Sequence, residues 1–167
     1  KAIVGGRGDK TASKTLNRAT DTTRQPGSTF KILAAYSAAL DAGGLTLASV
    51  QDDAPYTYAG ANGKSVNNYD RRYRGFTTLR EAITDSINIV TVKTLAQACV
   101  SLGWQYVQEY GFTTVDSRDM NEALALGGIT QGVSNLELTA AYAAIANQGT
   151  YTRPVFYSQV IDSNGIQ

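Results

Sequence analysis

Residues Ser28 to Ala42 constrain the fold most. Phe30, Ile32, Leu33, Ala34, Ala35, Tyr36, Ala38, Ala39 and Leu40 leave no polar face when wound at 3.6 residues per turn. A helix of this kind is stable in water only when other elements surround it. Pro26-Gly27 before it and Gly43-Gly44 after it mark its ends. The chain must therefore be organised round a central buried helix. Its 167 residues, 43% hydrophobic, amount to one domain with enough apolar material to cover that helix.

Charge and composition exclude several classes of function. Lys plus Arg total 15 against 14 for Asp plus Glu, so the net charge of +1 creates no field for a nucleic acid or an anionic membrane. Histidine is absent, which removes Ser-His-Asp and Cys-His triads and nearly every zinc site. A general base must then be Lys, Tyr, Asp or Glu. The single cysteine, Cys99, forbids an internal disulfide, and its place in the apolar run Thr94 to Val100 predicts a buried structural thiol. No stretch reaches the roughly 18 consecutive apolar residues of a membrane span.

Around the central helix, local signals predict the remaining elements. Ala2 to Val4, stopped by Gly5-Gly6, reads as a short strand, and residues 7–25 and 60–74 read as irregular. Thr78-Leu79-Arg80-Glu81 has capping-box spacing, opening a helix over Leu79 to Thr84. The polar run Thr84-Asp85-Ser86 interrupts it, and helical periodicity resumes over Ile89 to Val100. Further helices are expected over Trp104 to Tyr110 and Leu136 to Asn147, the latter opened by Ser134-Asn135-Leu136-Glu137. Val155 to Ile161 reads as a strand, Asp162-Ser163-Asn164-Gly165 as a hairpin turn and Ile166-Gln167 as the start of a return strand. The expected fold is α+β: a sheet with strands near 2–5 and 154–161, and a helical lobe over about 28–149. Residues 1–167 are then the N-terminal portion of one domain whose sheet is only partly present.

Ser28 and Lys31 supply the first candidate chemistry. Positions i and i+3 share a helix face, and an unprotonated lysine can activate a serine where no histidine exists. Lys31 is the one lysine in a segment apolar on all sides, where a charged, unpaired amine is costly. Ser28 opens the helix, where free backbone N–H groups favour an oxyanion. The pattern equally allows a snorkelling Lys31 with Ser28 as a plain N-cap. Ser86-Ile87-Asn88, in the break between two helices, can present a hydroxyl and an amide to a common cleft; ordinary capping of the next helix is the other reading. The same tripeptide pattern recurs at Ser65-Val66-Asn67, outside any such break.

These segments resemble the transpeptidase domain of class A penicillin-binding proteins, the bifunctional enzymes of bacterial peptidoglycan synthesis. The similarity runs through Val4-Gly5-Gly6-Arg7, Asn17-Arg18-Ala19-Thr20 and Arg24-Gln25-Pro26-Gly27-Ser28-Thr29-Phe30-Lys31. It continues through Gly75-Phe76-Thr77-Thr78-Leu79-Arg80-Glu81-Ala82, Ser86-Ile87-Asn88-Ile89, Leu126-Gly127-Gly128 and Gly132-Val133-Ser134 into Leu136-Glu137-Leu138-Thr139-Ala140-Ala141-Tyr142.

The resemblance implies a serine β-lactamase/transpeptidase-like fold, an antiparallel sheet flanked by helices plus an all-helical lobe. It implies that Ser28 is the acylated nucleophile, Lys31 its base, Ser86 the proton relay to the leaving D-alanine and Asn88 a ligand of the stem peptide. The implied partners are a stem peptide ending in D-Ala-D-Ala and β-lactams, with no cofactor, metal or nucleic acid. The family's Lys-Thr/Ser-Gly strand is absent, since Lys93-Thr94 is followed by Leu95. A companion C-terminal segment of the same polypeptide is expected to carry it, and residues 1–167 alone are expected to be inactive. A membrane-anchoring helix is expected upstream, placing the protein on the extracytoplasmic face of the cell membrane.

None of the four glutamates, Glu81, Glu109, Glu122 and Glu137, begins the Glu-x-x-x-Asn of class A β-lactamases, so slow deacylation is expected. A non-catalytic penicillin-binding sensor domain is the alternative of a different class. Gly63-Lys64-Ser65 lacks the upstream glycine of a phosphate loop, Arg7-Gly8-Asp9 is a chance tripeptide, and Tyr69 to Arg74 reads as a solvated loop.

Overall fold

The computed structural model describes residues 3, 6–9, 12–59, 63–162 and 165. β1 (Thr23–Arg24) leads into the central helical run. This run starts as a 3-10 turn at Gly27–Thr29, widens into a π-helical stretch at Ile32–Tyr36 and ends as α1 (Ser37–Asp41). In the π stretch the Ser37 N–H donates to Ile32 O, five residues back, and the Ser37 hydroxyl donates to the same carbonyl at 2.8 Å. Phe30, Leu33, Ala34, Ala35, Ala38 and Ala39 are fully buried, as the absence of a polar face requires.

Two short antiparallel ladders follow. β2 (Val50–Asp53) pairs with β5 (Gly75–Thr78), Val50 opposite Thr78 and Asp53 opposite Gly75. Between them β3 (Tyr56–Thr57) pairs with β4 (Ser65–Val66), the latter inside the stretch 60–74 expected to be irregular. At Thr78 the predicted capping box is formed: Thr78 Oγ1 accepts from the Glu81 N–H, and the Glu81 carboxylate accepts from the Thr78 N–H. It opens α2 (Leu79–Thr84), and the polar break leads into α3 (Asn88–Ala98). α4 (Val100–Glu109), 3-10 turns at Ser117–Asp119 and Glu122–Leu126, β6 (Val133–Ser134) and α5 (Asn135–Ala146) complete the order. β6 returns to pair with β1, Thr23 opposite Ser134, and a second capping box between Ser134 and Glu137 starts α5 as expected.

The core is centred on the helical run. Phe30 meets Phe112 edge to face, ring centroids 5.1 Å apart, and Leu33, Ile89, Leu95, Leu124 and Ile129 fill the space around them. Replacing Leu33 with Ala would cost about 2–5 kcal/mol. A second cluster joins Tyr36 to Leu79, Ala82, Ile87 and Val90, and the Tyr36 and Thr91 hydroxyls satisfy each other at 2.8 Å. Mixed helices and small antiparallel ladders make the fold α+β, as expected.

Several expectations require correction: β1 and β4 form strands in stretches expected to be irregular, and α4 begins at Val100 instead of Trp104. Cys99 is exposed, not buried. The chain turns there (φ 88°, ψ 123°), and the Cys99 carbonyl accepts from the Leu102 and Gly103 amides to begin α4. The turn brings Gly103 against the central run so closely that a Cβ would lie 2.4 Å from Ala34 O. Residues 151–162 form no strand, and Val155, Phe156, Tyr157, Val160 and Ile161 are exposed. A strand satisfies its N–H and C=O groups only through a neighbour, and no ladder among the described residues includes this segment. The Gly165 amide does donate to Asp162 O at 3.1 Å, but Ser163, Asn164 and the expected return strand lie outside the described residues, as does most of the predicted 2–5 strand. Among the described residues no helix is long and apolar enough to cross a membrane.

Candidate active site

Lys31 extends from the start of the central run to the break between α2 and α3. It is 3% exposed, and its Nζ donates to Ser86 O at 2.5 Å, Ser86 Oγ at 2.8 Å and Asn88 Oδ1 at 2.6 Å. Ser86 adopts a left-handed conformation, φ 54°, an arrangement that costs of order 1–3 kcal/mol for a residue with a Cβ. It places both the hydroxyl and the carbonyl of Ser86 within reach of the amine. Asn88 opens α3, and its Nδ2 donates to Asn67 O at 2.7 Å, which fixes Oδ1 as the atom facing Lys31.

Burial pushes the Lys31 amine down to about 8 from its ordinary 10.5. No ion pair among the described residues involves it. A neutral amine has two N–H donors and one lone pair, so one of the three contacts must reverse. Only the Ser86 hydroxyl has a proton to return, whereas Ser86 O and Asn88 Oδ1 accept in either state. The geometry thus couples loss of the lysine proton to a reversal of one hydrogen bond.

Ser28 is exposed in the 3-10 turn, and its side chain makes no hydrogen bond among the described residues. Lys31, Ser86 and Asn88 are brought together, whereas the direct Ser28–Lys31 bond suggested by i,i+3 spacing is not formed. The lysine instead reaches inward, where two carbonyl oxygens and a hydroxyl occupy its three donors. Contacts that the sequence reading missed hold the Ser28 turn. Gly127 (φ +73°) lies so close that a Cβ would sit 2.5 Å from Gly27 O. Gln25 Nε2 donates to Ile129 O at 2.8 Å, and Tyr142 Oη donates to Thr29 O at 2.6 Å. Their signal was present in the family-like segments Leu126-Gly127-Gly128 and Ala141-Tyr142, which carried no role by themselves.

Ser65-Val66-Asn67, where the tripeptide pattern recurs, supplies the Asn67 carbonyl that orients Asn88. The four glutamates are engaged elsewhere: Glu81 and Glu137 cap helices, Glu122 accepts from Tyr56 Oη and the Ala59 amide, and Glu109 accepts from Gln105. A cavity of about 570 Å³ lined by Ser37, Asp41, Tyr106, Tyr110 and Tyr151 includes none of the four candidate residues. No group of three or more metal-ligating side chains occurs among the described residues.

The model of the penicillin-binding protein transpeptidase domain family matches residues 2–167. The chain belongs to that family. Penicillin-binding protein 1F of Bacillus subtilis strain 168 is 43% identical over 165 residues, covering 99% of the chain and 22% of the relative. The crystal structure of penicillin-binding protein 1A from Haemophilus influenzae superposes with a TM-score of 0.78 at 32% identity, over 90% of the chain and 22% of that protein. Penicillin-binding protein A from M. tuberculosis, described as an imipenem acyl-enzyme complex, shares the fold with a TM-score of 0.72 at 24% identity, covering 83% of this chain and 36% of that one. This penicillin-binding protein transpeptidase chain thus spans about a fifth of the length of the curated relatives it matches. The class A resemblance drawn from its motifs agrees with these relatives.

Proposed function

We propose that the chain carries the nucleophile and proton-handling groups of a serine D,D-transpeptidase that cross-links peptidoglycan stem peptides. The observation behind this reading is the buried Lys31 amine, held by Ser86 and Asn88 and one helical turn from the exposed Ser28. With its amine near 8, about a tenth of Lys31 is neutral at pH 7 and able to take a proton.

Ser28 Oγ attacks the carbonyl carbon of the penultimate D-Ala and forms the ester C–O bond, while its proton passes to Lys31 Nζ. As the C–N bond to the terminal D-Ala breaks, a proton returns through the Ser86 hydroxyl to the departing nitrogen. The amine of a second stem peptide then attacks the ester, forming the cross-link and releasing Ser28, which recovers its proton. Asn88 Nδ2 and the neighbouring backbone align the donor peptide.

A β-lactam amide follows the first step, but its leaving nitrogen stays tethered. The glutamates are committed to caps and loops, so none of them is free to activate water and the ester is expected to persist. A companion segment carrying Lys-Thr/Ser-Gly completes the oxyanion site, and the substrate locates the protein on the extracytoplasmic face of the bacterial membrane.

Incubation of the complete transpeptidase domain with a fluorescent penicillin, followed by mass-spectrometric mapping, tests the reading. Label on Ser28 is expected, and label elsewhere or none refutes it. Release of D-Ala from a stem-peptide analogue separates a transpeptidase from a sensor domain that is acylated without turnover.

A further inference from the structure

Asp53 and Asn68 are both buried, at 0% and 4% exposure, and neither enters the reaction described above. Asn68 Nδ2 donates to Asp53 Oδ1 at 2.8 Å, Asp53 Oδ2 at 3.0 Å and Arg72 O at 2.8 Å. Its Oδ1 accepts from the Asn88 amide at 3.0 Å and the Ile89 amide at 3.2 Å. Because Asp53 and Arg72 O can only accept and the two amides can only donate, one orientation of the Asn68 side chain satisfies all of them.

The Asn88 and Ile89 amides are the first two of α3, and the residue at its N-cap, Ile87, provides no capping side chain. Asn68 therefore caps α3 from a distant part of the chain. Asp53 is itself held by the Arg74 amide at 3.0 Å and by the Arg74 guanidinium at 3.8 Å. Asn67, the preceding residue, takes the Asn88 side-chain amide on its carbonyl. Asn88 is thus gripped at its backbone by Asn68 and at its side chain by Asn67, with Oδ1 left to face Lys31 Nζ.

We propose that Asn68, anchored on the buried Asp53, is a positioning residue of the active site: it fixes the first turn of α3 and thereby holds Asn88 Oδ1 on the Lys31 amine. The inference rests on the transpeptidase reading above. Releasing Asn88 removes one of three acceptors from a buried ammonium, and this disfavours the charged form more than the neutral one. The groups that bond Lys31 Nζ from the α2–α3 break, Ser86 and Asn88, are uncharged, while the charged Asp53 and Arg74 stand on the far side of the Asn68 amide.

The test measures the rate constant for acylation by a fluorescent penicillin against pH, in the complete transpeptidase domain and its Asn68→Ala variant, with thermal unfolding recorded for both. A fall of tenfold or more in the plateau rate of the folded variant, where Lys31 is neutral in both proteins and only its placement differs, is expected, with the acidic inflection moved to lower pH. Wild-type rates in the folded variant overturn the proposal. So does a slower reaction whose inflection stays at its wild-type pH, because a merely structural role would leave Lys31 as it was. If Asn68→Ala does not fold, Asp53→Asn carries the test: Oδ1 of the new side chain still accepts from Asn68, and a smaller loss of about threefold with the same direction of shift is expected. Absence of Ser28 labelling in the unmodified domain refutes the transpeptidase reading itself, whereas normal labelling with an indifferent variant refutes this inference alone.

Discussion

Gly127 and Gly27 are in backbone contact: a Cβ on Gly127 would lie 2.5 Å from Gly27 O and 2.6 Å from Gly27 N. The residue before the proposed nucleophile is therefore braced by a residue one hundred positions away, at a site where a left-handed φ of +73° also favours glycine. Gly127→Ala is expected to destabilise the domain by about 1–3 kcal/mol and to slow acylation by penicillin. Gly149→Ala, at φ +85° with no atom within 4 Å, incurs the backbone strain without the contact. Comparing the two by denaturant unfolding and acylation rate isolates the brace: equal acylation in both would remove it.

The pH dependence of Lys31 has a definite sign. Its amine titrates near 8 in the folded protein and near 10.5 when unfolded, so below 8 both states are protonated and the group adds no slope. Between 8 and 10.5 the unfolded chain binds the extra proton, and stability rises with pH by at most about 1.4 kcal/mol per unit from this group. Lys31→Met should abolish that contribution and also abolish acylation. Urea unfolding at several pH values across that window checks the first effect, and penicillin labelling checks the second. In the unmodified domain acylation should climb with pH and reach half its plateau near 8.

Of the three groups that bond Lys31 Nζ, Ser86→Ala removes the one with a proton to return, while leaving the Ser86 backbone carbonyl in place. Acylation and D-Ala release should both fall by about 10²–10⁴-fold. The melting temperature should change little. Near-normal D-Ala release would exclude Ser86 as the relay.

Tyr142 ties α5 to the Ser28 turn through its bond to Thr29 O. Tyr142→Phe keeps the ring and deletes the bond, and a loss of about 0.5–1.5 kcal/mol is expected. A fewfold slower acylation should accompany it. Unfolding and labelling measured on one preparation would show whether the two losses travel together.

The features legible in the sequence were those whose cause is local. The buried central helix follows from nine apolar positions with no polar face, and both capping boxes follow from hydroxyl and carboxylate three residues apart. Lys31 stood out because its own neighbours are apolar. Asn68 was invisible because three of its four partners, Asp53, Asn88 and Ile89, are 15 to 21 residues away and its local bond to Arg72 O carries no distinctive spacing. The turn at Cys99 was missed because no glycine or proline marks it; the need arises in three dimensions, where Gly103 must approach Ala34. Val155 to Ile161 has the composition of a strand, but pairing depends on a neighbour that composition cannot supply.

The widened stretch at Ile32–Tyr36 holds one residue more per turn than an ordinary α-helix. It is therefore the place in the central rod where chain length is negotiable. Excising a single residue there would let the coil close to normal spacing while the segments on either side kept their azimuth. The same excision between Ser28 and Lys31 would have nothing to absorb it, and the alcohol would swing away from the amine by roughly 100°.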